Sequence, residues 1–283
     1  ASGYEPTIAR QFPSLRRIET RLARRLAAAL VDRIHAHARP VRLIGVISSH
    51  RWLEDLSQAV WLTRLLCDAG QPALVGDIND LREQRGRITL RGRPIDALYR
   101  FYPFERLYRH AVFGSVCDAA IDGRLLLLNG LRGFLAQSKA CLAWLWVNRA
   151  RFADDDAVTI ERHLPRTVLA RHPDAPALLP EGVIKHVNGR EGDSVVFGNT
   201  LDRAGWRERL LEDGYVVQRA VASPAVFDVE VDDRAREIRR VGDRYACVGG
   251  FAIGGRFAGC YTRLDGPITS ARATYAATLR EAS

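Results

Sequence analysis

The chain has 283 residues, enough for one large or two ordinary domains, and its 47% hydrophobic and 27% charged residues are typical of a globular protein, not a disordered one. The formal charge of +9 admits a polyanionic partner, but the basic residues are scattered and no nucleic-acid-binding module is recognisable, so we expect no nucleic-acid partner. The five cysteines are odd in number, far apart and without a CxxC pair, which argues against a disulfide framework or a zinc site and favours a cytoplasmic location.

The most apolar stretch is the run at residues 125–147, the nearest candidate for a membrane span. Polar and charged residues interrupt it, among them Asn129, Arg132 and Lys139, so we interpret it as a buried element and expect no membrane partner. The opening residues also lack the apolar segment of a signal peptide. No methionine occurs at residue 1 or elsewhere, which is consistent with a sequence that begins inside a longer gene product.

The first part of the chain predicts a helix followed by a small parallel sheet. Apolar residues recur at three- and four-residue spacing through residues 14–38, which predicts an amphipathic helix that Pro40 ends. Strand and helix patterns then alternate, which is typical of a β-α-β unit. The predicted elements are a strand over 41–48, a helix over 52–68, a strand over 71–77, a hairpin over 88–95 and a strand over 95–102.

The second part predicts a mostly antiparallel α+β region. Gly254 and Gly255 lie between two strand patterns and predict a tight hairpin turn. The predicted helices cover 104–110, 133–147 and 201–212, and the predicted strands cover 182–187, 194–198, 215–221, 227–233, 244–253 and 256–264. We expect a linker or domain boundary between about residues 110 and 130, and three parts: an N-terminal amphipathic helical segment at 1–40, an α/β domain at 41–120 and the mostly antiparallel region at 121–283.

Lysine is rare in this chain and marks a candidate site. Of the 42 lysine and arginine residues only Lys139 and Lys185 are lysines, which leaves 40 arginines. A retained lysine suggests a site that needs a compact ammonium group and not a planar guanidinium. Lys139 lies in an apolar helix pattern, where an unpaired charge is costly, so it should meet an anion or extend to solvent.

Lys185 precedes the glycine-containing turn VNGREG, between two predicted strands. Such a turn can fold over a triphosphate, because glycine lets the backbone approach closely and its N–H groups can point at phosphate oxygens. An ordinary β-hairpin with Lys185 on a solvated edge explains the same residues equally well. The turn alone does not decide between these two interpretations.

The order of several motifs resembles the glutathionylspermidine synthase-like branch of the ATP-grasp ligases. The motifs are IDALYRFYPFERL (95–107), NGLRGFLAQSKACLAWLW (129–146), HLPRT (163–167), GVIKHVNGREGDSV (182–195), YVVQRAV (215–221) and GGFAIGGRFAGCYTRLDGPIT (249–269). The resemblance implies a fold class of α/β and α+β: a small parallel α/β pre-grasp region on the substrate side, followed by an ATP-grasp fold with mostly antiparallel sheets.

The resemblance also implies the chemistry. It implies an ATP-dependent carboxylate–amine ligase that forms an amide through an acyl phosphate, with ATP and Mg²⁺ as cofactors. Its partners would be a carboxylate substrate and an amine substrate, such as an amino acid, a peptide or a polyamine. Neither the identity of these substrates nor the oligomeric state follows from the sequence. The alternative is an ATP-grasp-like protein that binds a nucleotide or another polyanion without ligase activity. A third and weaker hypothesis, based on charge alone, is an RNA-associated protein.

Site residues follow from the resemblance at matching positions. Arg263 would be catalytic, because it would stabilise the transferring phosphoryl group or the acyl phosphate. The residues expected to bind the nucleotide are Lys139 and Lys185 at the phosphates, Gly189, Arg190, Glu191 and Gly192 in the loop over them, Gln218, Arg219, Ala220 and Val221 beside adenine, and Ile268 and Thr269 nearby.

Several of these residues would also suit ordinary structural roles. Gln218 could simply end a strand, Glu191 could stabilise its turn, and Arg263 is one of 40 arginines. His50 could contact substrate at the end of a strand or cap the next helix. The acidic residues that alternate on a predicted strand resemble metal ligands but are typical of a solvated face: Asp228, Glu230, Asp232 and Asp233.

The sequence departs from the family pattern in its metal ligands. The RxD and ExN segments that hold magnesium in the family are not recognisable here, so the metal ligands stay unknown. We expect these ligands upstream of Ala1.

Overall fold

The computed structural model divides into two compact units. Unit 1 comprises Ala1–Ile18, Leu135–Gly250 and Cys260–Ser283, and unit 2 comprises Glu19–Phe134 and Phe251–Gly259. The residues that the structure describes are 15–17, 21–130, 132–178, 180–223, 225–232, 237–276 and 278–281.

The amphipathic helix predicted over 14–38 is shorter than expected. Strand β1 (Leu15–Arg17) comes first and pairs antiparallel with Leu279–Glu281, and helix α1 (Leu22–His35) follows. Leu30 and Ile34 of α1 are buried, as the spacing predicts. The prediction was wrong at the start of the helix, because the backbone of β1 is paired with a distant segment that periodicity cannot detect.

Unit 2 is built on a parallel sheet, as predicted. Its strand order is β3 (Ala73–Asp77), β2 (Ile44–Ser48), β7 (Ala97–Arg100) and β8 (Leu126–Leu127), with register pairs such as Ile44↔Ala73 and Ile44↔Ala97. All of β2 is buried, which explains its uninterrupted apolar sequence. The elements from β2 onward are β2 (Ile44–Ser48), α2 (Leu53–Asp68), β3 (Ala73–Asp77), β4 (Leu81–Gln84), β5 (Arg87–Leu90), β6 (Arg93–Pro94), β7 (Ala97–Arg100), α3 (Phe104–Leu107), α4 (Phe113–Ile121) and β8 (Leu126–Leu127).

Two local features of unit 2 bear on the sequence predictions: the hairpin at 88–95 and the segment at 110–130. The hairpin predicted over 88–95 is confirmed: β5 and β6 are joined by Arg91 and Gly92, which both have positive φ, as a two-residue hairpin turn requires. The linker or boundary expected between about residues 110 and 130 stays a prediction. Val116 of α4 and Leu125 before β8 are buried in the core of unit 2, so this segment is folded.

The apolar helix predicted over 133–147 is two helices, α5 (Gly133–Gln137) and α6 (Lys139–Val147). Ser138 interrupts them: its backbone is extended, with ψ 133, and its hydroxyl accepts a hydrogen bond from Ala140 N. Serine is a preferred N-cap, and one such residue is enough to start a new helix. Lys139 is therefore the first residue of α6.

Unit 1 contains a four-stranded sheet of order β11 (Val196–Phe197), β10 (Gly182–His186), β12 (Tyr215–Arg219) and β9 (Thr167–Leu169), antiparallel throughout. Its core includes Ile184, Val217 and Trp206, and the Trp206 indole donates to Gly198 O at 2.9 Å. The elements are α7 (Asp154–His163), β9 (Thr167–Leu169), β10 (Gly182–His186), β11 (Val196–Phe197), α8 (Arg203–Leu211) and β12 (Tyr215–Arg219).

The last five strands include a long hairpin. Gly254 and Gly255 have φ of 59 and 71 and form the turn, as predicted. The strands are β13 (Ala225–Asp232), β14 (Glu237–Ile253), β15 (Arg256–Asp265), β16 (Thr274–Ala276) and β17 (Leu279–Glu281). A parallel α/β region followed by mostly antiparallel sheets is the predicted fold class, which is confirmed. No helix in the described part of the chain is long and apolar enough to cross a membrane.

Candidate functional site

A cavity of about 310 Å³ in unit 1 brings together residues from five separate segments. Its volume lies in the range of small-molecule sites. Every predicted nucleotide-binding residue except Arg190 lines it. We call this cavity the lysine cleft, and its lining residues are Lys139, Val183, Lys185, Gly189, Glu191, Gly192, Asp193, Val195, Phe197, Gln218, Arg219, Ala220, Val221, Pro267, Ile268 and Thr269.

Lys185 lies on β10, an interior strand between β11 and β12. Its side chain is partly buried, and burial lowers its pKa, with the nearby charge of Lys139 lowering the pKa further. The ammonium Nζ donates to Gln218 Oε1 at 2.7 Å. The interpretation of Lys185 as a solvated hairpin-edge residue is therefore wrong.

Gln218 connects Lys185 to a buried threonine. Gln218 pairs across the sheet with Thr167 of β9, and its Nε2 donates to Thr167 Oγ1 at 2.9 Å. Thr167, which is 1% exposed, donates in turn to Pro165 O at 2.7 Å. This chain of bonds fixes the Gln218 amide with its oxygen towards Lys185. Gln218 thus does more than end a strand.

Lys139 begins α6 and reaches the glycine loop. Its Nζ donates to Gly189 O at 2.6 Å, and its backbone N donates to Val187 O at 2.8 Å. Burial lowers the pKa of Lys139, and the charge of Arg190 lowers it further. The N-terminus of a helix carries partial positive charge, so an ammonium group is unfavourable there unless an anion lies near it.

Two glycines let the loop pack closely. A Cβ on Gly189 would lie 2.7 Å from Ser194 Oγ. Gly192 has φ +78, and a Cβ there would lie 2.8 Å from both Ile268 Cγ2 and Thr269 O. The loop therefore lies directly against residues 268 and 269, and a side chain at Gly192 would separate them.

The segment at 267–269 is held in place by Asp265, which sequence reasoning missed. The Asp265 carboxylate accepts from Ser270 N at 2.6 Å, Ser270 Oγ at 2.7 Å and Gly266 N at 2.8 Å. The hydrogen bonds from Ser270 and Gly266 lower the pKa of Asp265 to about 2. The DGPITS sequence carried the signal, since an aspartate before glycine commonly bonds the backbone of its own turn.

Sequence reasoning also missed five residues that line the cleft. Val183 and Phe197 are directly paired across β10 and β11, in the same row of the sheet as Gln218 and Thr167. The two-residue period of a strand places Val183 on the same face as Lys185, and this signal could have found it. The others are Asp193, Val195 and Pro267.

Arg263 lies on β15 opposite Tyr275 and is not among the residues that line the cleft. Its Nε is buried and has no hydrogen-bond partner in the part of the chain that the structure describes. His50 lies in unit 2, where its backbone N donates to Asp77 Oδ2 at 2.7 Å, and its side chain is half exposed.

The predicted acidic face of β13 lies outside the described side chains. This applies to Asp228, Glu230 and Asp232, and Asp233 is likewise outside the described residues. Across the residues that are described, no group of three or more His, Cys, Asp or Glu side chains could hold a metal ion. Two carboxylates, Glu191 and Asp193, line the lysine cleft.

Comparison with known proteins gives one family match. The family model described as "Glutathionylspermidine synthase preATP-grasp" matches residues 9–279. No curated protein matches the chain significantly.

Solved structures with detectable similarity include three ligases or synthetases. A provisionally assigned gamma-glutamylcysteine synthetase from Methylobacillus flagellatus KT has 12% identity over 86% of this chain and 67% of that chain, with a TM-score of 0.47. D-cycloserine synthetase DcsG has 16% identity over 85% of this chain and 75% of that chain, with a TM-score of 0.47. The ATP-grasp ligase PsnB, complexed with minimal precursor, Mg and ADP, has 15% identity over 85% of this chain and 90% of that chain, with a TM-score of 0.40.

Proposed function

The chain belongs to the glutathionylspermidine synthase preATP-grasp family, and we propose that it is an ATP-dependent ligase that joins a carboxylate to an amine. The match confirms the resemblance found in the sequence. The observation that carries the proposal is the lysine cleft, where the chain's two lysines meet over a glycine loop. This combination suits a polyphosphate, because ammonium groups and closely approaching backbone both favour phosphate oxygens.

The walls of the cleft suit the two ends of ATP. Lys139 and Lys185 would donate hydrogen bonds to the phosphates. Charged phosphate oxygens would then replace their present neutral acceptors, Gly189 O and Gln218 Oε1. Apolar side chains, Val183, Phe197 and Ile268 among them, would pack against the adenine ring. The backbone at 219–221 would offer hydrogen bonds to the edge of adenine.

The proposed reaction has two steps. An oxygen of the substrate carboxylate attacks the γ-phosphorus of ATP, the bond to the β-phosphate oxygen breaks, and ADP leaves. The amine nitrogen then attacks the acyl carbon, phosphate leaves with the bonding electrons, and the amine loses a proton. The lysines act by position and charge in the first step.

Magnesium would neutralise phosphate charge when bound. Glu191 and Asp193 are the carboxylates that line the cleft, and the described residues do not complete a set of metal ligands around them. No step of the proposal therefore runs through magnesium. Amino acids, short peptides and polyamines are the substrate classes that we propose to screen.

Arg263 is proposed to stabilise the transferring phosphoryl group. Its buried Nε lacks a partner among the residues described, so its guanidinium retains hydrogen-bonding capacity for a ligand. Arg256 lies at the exposed start of the same strand and is a matched control.

The test is ADP release in the presence of ATP, Mg²⁺ and pairs of carboxylates and amines, with product mass as the second readout. ADP release should require both substrates. Lys185→Ala should abolish ATP binding or turnover, and Arg263→Ala should reduce turnover far more than ATP affinity, whereas Arg256→Ala should change neither.

Unchanged ATP affinity and turnover in Lys185→Ala would overturn the role of the cleft. An equal loss of affinity and turnover in Arg263→Ala would contradict its transition-state role. ATP binding without ADP release, over the whole substrate panel, would favour a nucleotide-binding protein without ligase activity.

A further inference from the structure

A second cavity, of about 370 Å³, lies wholly within unit 2. It is at the amino-terminal ends of the parallel strands, next to the residues that precede β2, β7 and β8. His50 follows β2 and Asp77 is the last residue of β3, so both lie at the opposite, carboxyl ends of the strands. The lysine cleft belongs to unit 1, so this cavity shares no residue with it.

The cavity combines an apolar floor with a cationic rim. Ile88, Ile95 and Leu125 are each 2% exposed and belong to the core of unit 2. Four arginines line the cavity around them: Arg39, Arg42, Arg87 and Arg124. An apolar surface with a few convergent polar groups is the usual composition of a small-molecule site.

Two of the four arginines are already neutralised. Arg87 Nη2 pairs with Asp96 Oδ1 at 2.8 Å, and Arg124 Nη2 pairs with Asp122 Oδ2 at 2.9 Å. The other oxygen of Asp96 accepts from Arg42 N at 2.9 Å, so this carboxylate is fully engaged. These pairs hold two sides of the rim in fixed positions.

Among the residues that the structure describes, the other two arginines have no internal partner. Within the described ranges, the side chains of Arg39 and Arg42 make no hydrogen bond, ion pair or ring contact. Each guanidinium offers five donors in a fixed planar arrangement that fits a phosphate or carboxylate. Both arginines flank Pro40, which restricts the backbone between them.

We propose that this cavity, which we call the arginine pocket, binds a small organic dianion. Such a ligand has two phosphate or carboxylate charges, one for each unpaired guanidinium, and a short hydrocarbon body for the apolar floor. The pocket is an additional binding site that does not depend on the proposed ligase reaction.

The experiment is isothermal titration of the full chain at low ionic strength with two probes. Pyrophosphate supplies phosphate charge without hydrocarbon, and succinate supplies two carboxylates on a hydrocarbon body. We expect saturable binding of at least one probe, with one site per chain once the lysine cleft is disabled by Lys185→Ala, and at least tenfold weaker binding at that site when Arg39→Gln/Arg42→Gln is added. The stronger probe identifies whether phosphate or carboxylate is the preferred charge.

The matched control is Arg24→Gln/Arg64→Gln. Both residues are exposed on helices of unit 2, neither lines the pocket, and the change in net charge is the same. This variant should bind within about twofold of the wild type. Circular dichroism should show both double variants folded, because all four side chains are exposed.

Lys185→Ala separates the two cavities, because pyrophosphate could also enter the lysine cleft. Binding at the arginine pocket should persist in that variant. Three results would each overturn the proposal: no binding of either probe to the wild type, an equal loss in the control variant, or binding that depends on Lys185 and not on Arg39 and Arg42.

Discussion

Replacing Gly192 by alanine should damage nucleotide binding through a single added carbon. Gly192 has φ +78, a left-handed conformation that costs a residue with a Cβ about 1–2 kcal/mol. The added Cβ would also lie 2.8 Å from Thr269 O and Ile268 Cγ2. The carbonyl oxygen belongs to the backbone and cannot rotate away, so the glycine loop and residues 268–269 must separate.

The size of that separation follows from the contact distances. Restoring an ordinary contact of 3.4 Å from 2.8 Å requires a displacement of about 0.6 Å. Displacements of about 1 Å at a binding site can cost a hundredfold in rate. We therefore expect ATP affinity to fall about tenfold, or about 1.4 kcal/mol.

Gly70→Ala is the matched control. Gly70 has the same φ of +78, and nothing lies within 4 Å of a Cβ added there. Both variants should lose thermal stability through the backbone conformation, and only Gly192→Ala should bind ATP more weakly by titration calorimetry. Wild-type ATP affinity in Gly192→Ala would refute the close packing of loop and segment as a requirement for binding.

Three further predictions concern the same cleft. Burial and the charge of Lys139 lower the pKa of Lys185. Because the ammonium loses its charge as pH rises through that lowered pKa, ATP affinity should fall over this range. Calorimetry on Lys185→Met should show no such pH dependence. The stability of the ligand-free protein should rise over the same pH range, because the unfolded state then binds more protons; a flat wild-type profile would contradict this. Gln218→Leu removes the acceptor of Lys185 Nζ and the donor to buried Thr167 Oγ1, and it should cost about 1–3 kcal/mol in urea unfolding. An unchanged free energy of unfolding would contradict the network. The pKa of Asp265 is lowered from 3.8 to about 2, so its carboxylate stabilises the folded state fully above pH 3.8, and this stabilisation is lost as the pH falls through about 2. Asp265→Asn should lack this step in acid unfolding followed by circular dichroism. An acid transition identical to that of the wild type would count against the prediction.

Local patterns were sufficient for the parallel sheet of unit 2. Its central strand is buried on both faces and reads as a continuous apolar run, and Arg91–Gly92 suits the two-residue turn of the neighbouring hairpin. The start of α1 was not predictable in this way. Leu15–Arg17 pairs with Leu279–Glu281 at the far end of the sequence, and no local spacing encodes that pairing.

The sequence predicted the site residues whose type is rare in this chain, and it missed common residues that contribute through hydrogen bonds. The rarity of lysine and the ordered motifs placed Lys139 and Lys185 in one site, and the structure places both on one cavity. Thr167 reaches the cleft through a hydrogen bond from Gln218, which lies on another strand, and Asp265 acts by holding the turn that contains residues 267–269. The type of Thr167 carried no signal, because threonine is common in strands, whereas the signal for Asp265 was the glycine that follows it and not the aspartate alone.

The hydrogen bonds of the two lysines suggest why lysine, and not arginine, occupies these two positions. Lys139 donates to Gly189 O and Lys185 to Gln218 Oε1, both neutral oxygens, and among the residues described neither lysine pairs with a carboxylate. The charge of each ammonium group is therefore not yet compensated, and a polyphosphate would gain a charge-assisted hydrogen bond from each lysine. A neutral ligand would only replace the present neutral acceptor oxygens by others of the same kind. A guanidinium is a rigid planar group, whereas an ammonium is a compact charge with three rotatable donors that can turn from a carbonyl towards a phosphate. Compact, mobile charge beside a glycine loop is the property that we propose for the cleft, in a chain that otherwise uses arginine.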